Sequence, residues 1–156
     1  MDKDTESRQQ LLREYERMVM PLLRYIPWLE KNRGRNVREY YEDPEQSEHA
    51  MSIPVYDGTL MNFVKEAAAS ELMDRNYQYI YTRNRIKTHA DERRVIASAE
   101  LRDWDLLRGI LSKYVMGGRT KSVLWTQGVQ EDIFYLTLKK MQEIITFWDR
   151  DLKIRE

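Results

Sequence analysis

The sequence predicts an all-α, single-domain bundle of about six helices, and three observations carry that expectation. Apolar residues recur at spacings of three and four at both ends of the chain, which is the period of an amphipathic helix. No convincing strand interrupts the pattern. The 156 residues fit one domain, long enough to bury roughly 70% of the surface its unfolded form exposes.

The first stripe is Leu12, Tyr15, Val19, Leu22, Ile26 and Leu29, preceded by a charged lead in which residues 1–5 are expected to be disordered. It runs through Pro21, which predicts a kink there or two helices in line, and Pro27 marks a second disturbance. "KNRGRN" ends the segment. A long irregular connection follows over about 32–56, where "SIPVY" is the only extended candidate and Pro54 interrupts it. Asp57 is a good N-cap for the alanine-rich helix after it. "DWDLLRGILSKYVMGG" begins at Asp103, sets Trp104, Leu107, Leu111 and Tyr114 on one side, and predicts a left-handed C-cap at Gly117. The final stripe, Phe134, Leu138, Met141, Ile145, Trp148 and Leu152, predicts a helix through the C-terminus.

Composition narrows the function classes. There is no cysteine, which removes disulfides, thiolate metal sites and thiol nucleophiles. Neither a targeting leader nor a membrane-length apolar run is recognisable, so the expected location is cytoplasmic. Lys plus Arg total 26 and Asp plus Glu total 26; an electrostatic partner must therefore be bound by a local patch rather than a global field.

One such patch is "NYQYIYTRNRIKTHADERR", with three alternate tyrosines followed by Arg83, Arg85, Lys87, Arg93 and Arg94. As a strand it would form an aromatic and basic platform for single-stranded bases. As a helix, Tyr77, Ile80, Tyr81 and Asn84 share a face and the platform breaks up. Thr88 with Asp91 resembles a capping box, which starts a new helix near His89. A helix-turn-helix reader of DNA would bring Asp91 and Glu92 toward phosphate, against their charge. A partly buried tyrosine face with solvated arginines is the plainer reading.

Other motifs carry less. His49 and His89 are the only histidines, and neither stands in a His-x-x-x-His or Glu-x-x-His spacing. Glu45 and His49 could meet on one helical turn, but two further ligands would have to be remote. No metal and no cofactor is expected, and surface histidines are. No serine sits in a glycine-flanked nucleophile elbow. "MGGRTKSVLW" could offer Arg119 and Lys121 to an anion, but its adjacent glycines do not make a phosphate loop. A glycine C-cap joined to a helix capped by Thr120 is the structural alternative.

"RYIPWLEK", "LRDWDLLRGILSKYVMGGRTKSVLW" and "IFYLTLKKMQEI" together resemble a group of small bacterial proteins classed as a domain of unknown function. Its members occur in Gram-positive gut anaerobes, often in mobile or phage-derived regions. The resemblance implies a compact helical domain in a bacterial cytoplasm and assigns no catalytic residue. The expected function is a non-enzymatic interaction protein with a protein partner, and the alternative is a nucleic-acid-binding accessory of a mobile element. The partner surface is placed on the long connection at Tyr40, Tyr41, Glu42 and Asp43, because long loops in compact domains are usually functional or disordered. Nucleic acid or an anion would instead use Arg83, Arg85, Lys87, Arg93, Arg94, Arg119 and Lys121.

Overall fold

The computed structural model describes residues 3–41 and 53–155. In chain order it holds α1 (Lys3–Leu23), α2 (Ile26–Lys31), β1 (Arg38–Tyr41), β2 (Ile53–Tyr56), α3 (Gly58–Ala68), α4 (Tyr77–Arg83), α5 (His89–Ser98), α6 (Trp104–Gly117), α7 (Val123–Gln130) and α8 (Ile133–Arg155). A single 3-10 turn, Leu101–Asp103, leads into α6.

The chain is predominantly helical, with eight α-helices among the described residues rather than about six. The added helices are short ones, such as α2 and α7, whose few turns give too little periodicity to separate from their neighbours. The connection after α2 is not wholly irregular. β1 and β2 pair antiparallel, with Tyr40 opposite Pro54 and Tyr41 opposite Ile53. Two strands are the smallest sheet, and each forms one ladder only, which tolerates the missing N–H of Pro54.

At the N-terminus the helix is already formed at Lys3 and continues through Pro21 to Leu23. The interruption falls at Arg24 and Tyr25, and α2 restarts with Pro27 in its first turn, where an N–H is not needed. The expected break is thus displaced from Pro21. Both pieces bury the same stripe: Leu12, Val19, Leu22, Ile26 and Leu29 all face the core.

Two helices organise that core. On α6, Trp104, Leu107, Ile110, Leu111, Tyr114 and Val115 are fully buried; on α8, Ile133, Phe134, Leu138 and Met141 are. The Phe134 ring packs edge-on against Phe63 of α3 at 4.9 Å and against Tyr114 at 6.0 Å, so three helices meet on one aromatic chain. Each large apolar side chain buried in this way contributes about 1.5–3 kcal/mol before entropy is counted.

Glycines set how closely α4 and α7 approach α6. A Cβ on Gly109 would lie 2.7 Å from Ile80 Cδ1, so the Ile80 side chain of α4 sits where a larger residue would stand. Arg108 secures the same region by donating to the carbonyls of Glu71, Leu72 and Met73, and Ser112 Oγ accepts from Asp74 N–H at 2.8 Å. At the other end of α6, the expected left-handed cap is absent. Gly117 still belongs to the helix and has no positive φ, and Gly118 after it has φ −64°, an ordinary right-handed value. Its lack of a side chain serves packing instead: Trp125 occupies that space and donates from Nε1 to Val115 O at 3.0 Å. The next helix starts at Val123 rather than at a Thr120 cap.

Candidate functional site

The capping box read from the sequence fixes the first element of the site. Thr88 Oγ1 accepts from Asp91 N–H at 3.1 Å, and Asp91 Oδ2 accepts from the N–H groups of Thr88 and Lys87. These contacts, led by the one from Lys87, hold the Asp91 carboxyl below the usual carboxylate range. Starting α5 there puts His89 and Glu92 one turn apart on one face.

Glu92 is 1% exposed. A buried carboxylate is costly unless its oxygens are hydrogen-bonded and its charge is paired, and here both conditions are met from three helices. Tyr81 of α4 donates to Oε2 at 2.5 Å, and Tyr114 of α6 donates to Oε1 at 2.5 Å. His89 Nδ1 lies 2.9 Å from Oε1 and 2.8 Å from the Tyr114 oxygen. A proton on Nδ1 serves both contacts as donor. The ammonium of Lys113 stands 3.5 Å from Oε2 and over the ring faces of Tyr81 and Tyr114, 4.6 and 5.3 Å from their centroids, a cation–π arrangement.

The environment determines the protonation of the phenols. Burial first, then the charge of Glu92 and the hydrogen bond to it, raises Tyr81 well above the ordinary phenol range. Burial followed by the Glu92 hydrogen bond does the same to Tyr114. Both stay neutral donors.

Tyr81 and Lys113 also form part of the wall of a groove of about 640 Å³ between α4, α6 and the start of α7. Its polar lining is Tyr77, Gln78, Tyr81, Thr82, Lys113 and Thr120; Met116, Gly117 and Leu124 supply the apolar part. Among the described residues no carboxylate lines it. A smaller concavity of 380 Å³ lies between the α5–α6 junction and α8, beside Phe147, which is 63% exposed. Its lining carries Glu100, Glu143 and Lys140 together, so it has no single charge preference.

The basic residues read from the sequence divide into two groups. Arg83, Arg85 and Lys87 are exposed at the α4–α5 turn, and Arg119 and Lys121 are exposed at the α6–α7 turn. Arg93 is instead tied to Glu131, through both the side chain at 3.0 Å and the main-chain carbonyl, and Arg94 pairs with Asp91 at 3.3 Å. The stacking platform does not form, because residues 77–83 are helical: Tyr77 and Tyr81 line the groove while Tyr79 is turned to solvent. Tyr40 and Tyr41 lie on β1. Glu42 and Asp43 lie outside the described residues, as does His49.

Sequence reasoning missed Glu92, Lys113, Tyr114 as a polar partner, and His89, which is half-buried and bonded rather than on the surface. A signal was present. Glu92, Ile96 and Ala99 recur at four and three, so an acid stands in the buried stripe of α5. Its reading as a helix-start charge concealed this. Among the described residues no helix is long and apolar enough to cross a membrane, and no cluster of three or more His, Cys, Asp or Glu could hold a metal.

Neither family models, nor curated proteins, nor solved structures contain a match to this chain.

Proposed function

We propose that this chain is a non-enzymatic binding protein whose recognition element is the groove between α4, α6 and α7. One observation carries the reading: the groove wall is pre-organised by the Glu92 cluster. Tyr81 and Lys113 would each lose side-chain freedom on meeting a ligand, and fixing them in advance removes that cost from binding. The groove volume of about 640 Å³ falls in the range of small-ligand pockets, about 300–1,000 Å³. The same hydrogen bonds argue against a reaction centre, since the protons of Tyr81 and Tyr114 are committed to Glu92 and neither phenol ionises near neutral pH.

The test is a fragment titration followed by NMR of protein labelled at its methionine methyls. Groove ligands should shift Met116 most, and Thr120→Trp, at an exposed groove position, should abolish the shift without lowering the melting temperature. Fragments that bind while leaving Met116 unmoved would place the recognition element elsewhere.

A second reading keeps a nucleic-acid partner, the alternative tied to a mobile-element setting. What favours it is that Arg83, Arg85 and Lys87 are exposed and enter no ion pair among the described residues. What weighs against it is the loss of Arg93 and Arg94 to internal pairs.

A further inference from the structure

We infer that the groove selects a small organic anion, a carboxylate or phosphate monoester carried on an apolar body. This deepens the binding reading and rests on the groove being the recognition element.

The charge pattern inside the groove is one-sided. Among the described residues Lys113 is the only charged one in the lining, and about a third of its side chain remains accessible. Its counter-charge is not. Glu92 lies behind it, 1% exposed, with its oxygens occupied by Tyr81, Tyr114 and His89. A ligand entering the groove therefore meets the ammonium and hydroxyls before it can meet the carboxylate. Three hydrogen bonds also disperse the Glu92 charge, so Lys113 keeps attraction for a second anion.

The α6–α7 turn repeats the sign. Arg119 and Lys121 flank the lining residue Thr120, and both cations are exposed. Exposed charges contribute little individually but raise the local concentration of an anion and steer its approach. The apolar lining then sets the rest of the ligand. Met116 adapts to irregular shapes, and Leu124, packed over Gly117, completes the apolar surface beside it. A bare inorganic anion would leave that surface unused. A neutral apolar molecule would leave Lys113 unsatisfied.

The experiment uses three probes on the full chain: benzoate, phenyl phosphate and benzamide, the last being a neutral isostere of benzoate. Affinity is read from the Met116 methyl shift. We expect both anions to bind at least fivefold more tightly than benzamide. Lys113→Met should remove that preference, and Arg119→Gln with Lys121→Gln, outside the core, should reduce it even if Lys113→Met fails to fold. Equal affinity for benzoate and benzamide at Met116 overturns the inference while leaving the groove reading intact. Silence of Met116 toward all three probes, alongside a response to other fragments, does the same. If a single-stranded oligonucleotide displaces benzoate from Met116 and binds far more tightly, the anion belongs to a macromolecule and the small-ligand inference falls.

Discussion

The hydroxyl of Tyr114 donates to Glu92 across 22 residues of sequence at 2.5 Å. This contact joins the first turn of α5 to the last turn of α6, and Tyr81 adds α4 to the same carboxylate. Glu92→Gln should therefore weaken the fold as well as the groove. The amide removes the charge that Lys113 pairs with and turns one of two acceptor oxygens into a donor, facing groups that themselves donate. A loss of about 2–4 kcal/mol is expected from a broken buried network of this kind, measured by urea unfolding. Tyr81→Phe and Tyr114→Phe should each cost about 1–2 kcal/mol, and the double substitution should depart from additivity because both act through one carboxylate. Simple additivity would show the two bonds to be independent.

The same phenols predict an alkaline limit to stability. Both have folded-state pKa values raised above the unfolded value, which is about 10. A group shifted in this direction contributes its full stabilisation below the unfolded pKa and loses it as pH rises toward the folded value. Stability should be insensitive to these groups at pH 8 and fall steeply above about pH 10. The slope should diminish when Tyr81 and Tyr114 are both phenylalanine. Absorbance titration of the ten tyrosines supplies an independent check, since these two should ionise only as the protein unfolds.

Two glycine substitutions separate packing from flexibility. A Cβ at Gly118 would stand 2.0 Å from Trp125 Nε1, whereas one at Gly58 has nothing within 4 Å. Gly118→Ala must displace the indole and break its bond to Val115 O, at a cost of about 1–3 kcal/mol. Gly58→Ala should be neutral or stabilising by up to about 1 kcal/mol. Equal effects in thermal melts would contradict this account of the α6–α7 junction.

Capping of α5 gives a smaller, local expectation. Thr88→Ala removes the acceptor for Asp91 N–H and should cost about 1 kcal/mol. Because this turn also orients His89 and Glu92, the loss should be accompanied by faster amide exchange in the first turn of α5. Unchanged exchange there would detach the cap from the buried cluster.

If nucleic acid is bound, its affinity must fall with salt in proportion to the phosphates neutralised. Replacing Arg83, Arg85 and Lys87 with alanine should flatten that dependence without changing the melting temperature. Replacing Arg93 and Arg94 should act chiefly on stability, through the pairs with Glu131 and Asp91. A flattened slope from the second pair alone would reverse these roles.

The sequence by itself determined the helical class, the buried stripes of α1–α2, α6 and α8, the Asp57 cap and the Thr88 capping box. All of these depend on residues within a turn or two of each other, where backbone geometry fixes which side chains share a face. It also located the basic residues, though not which were free. Tertiary structure decided the remainder. Arg93 became a structural residue because Glu131, 38 positions away, came beside it, and Gly118 owed its role to the indole of Trp125 rather than to a turn. Glu92 shows the physical reason most clearly. On α5 alone it is an acid at a helix start, favourable to the dipole and otherwise ordinary. Only when α4 and α6 bring Tyr81, Lys113 and Tyr114 against it is the charge both buried and satisfied, and no local pattern contains the partners that make burial possible.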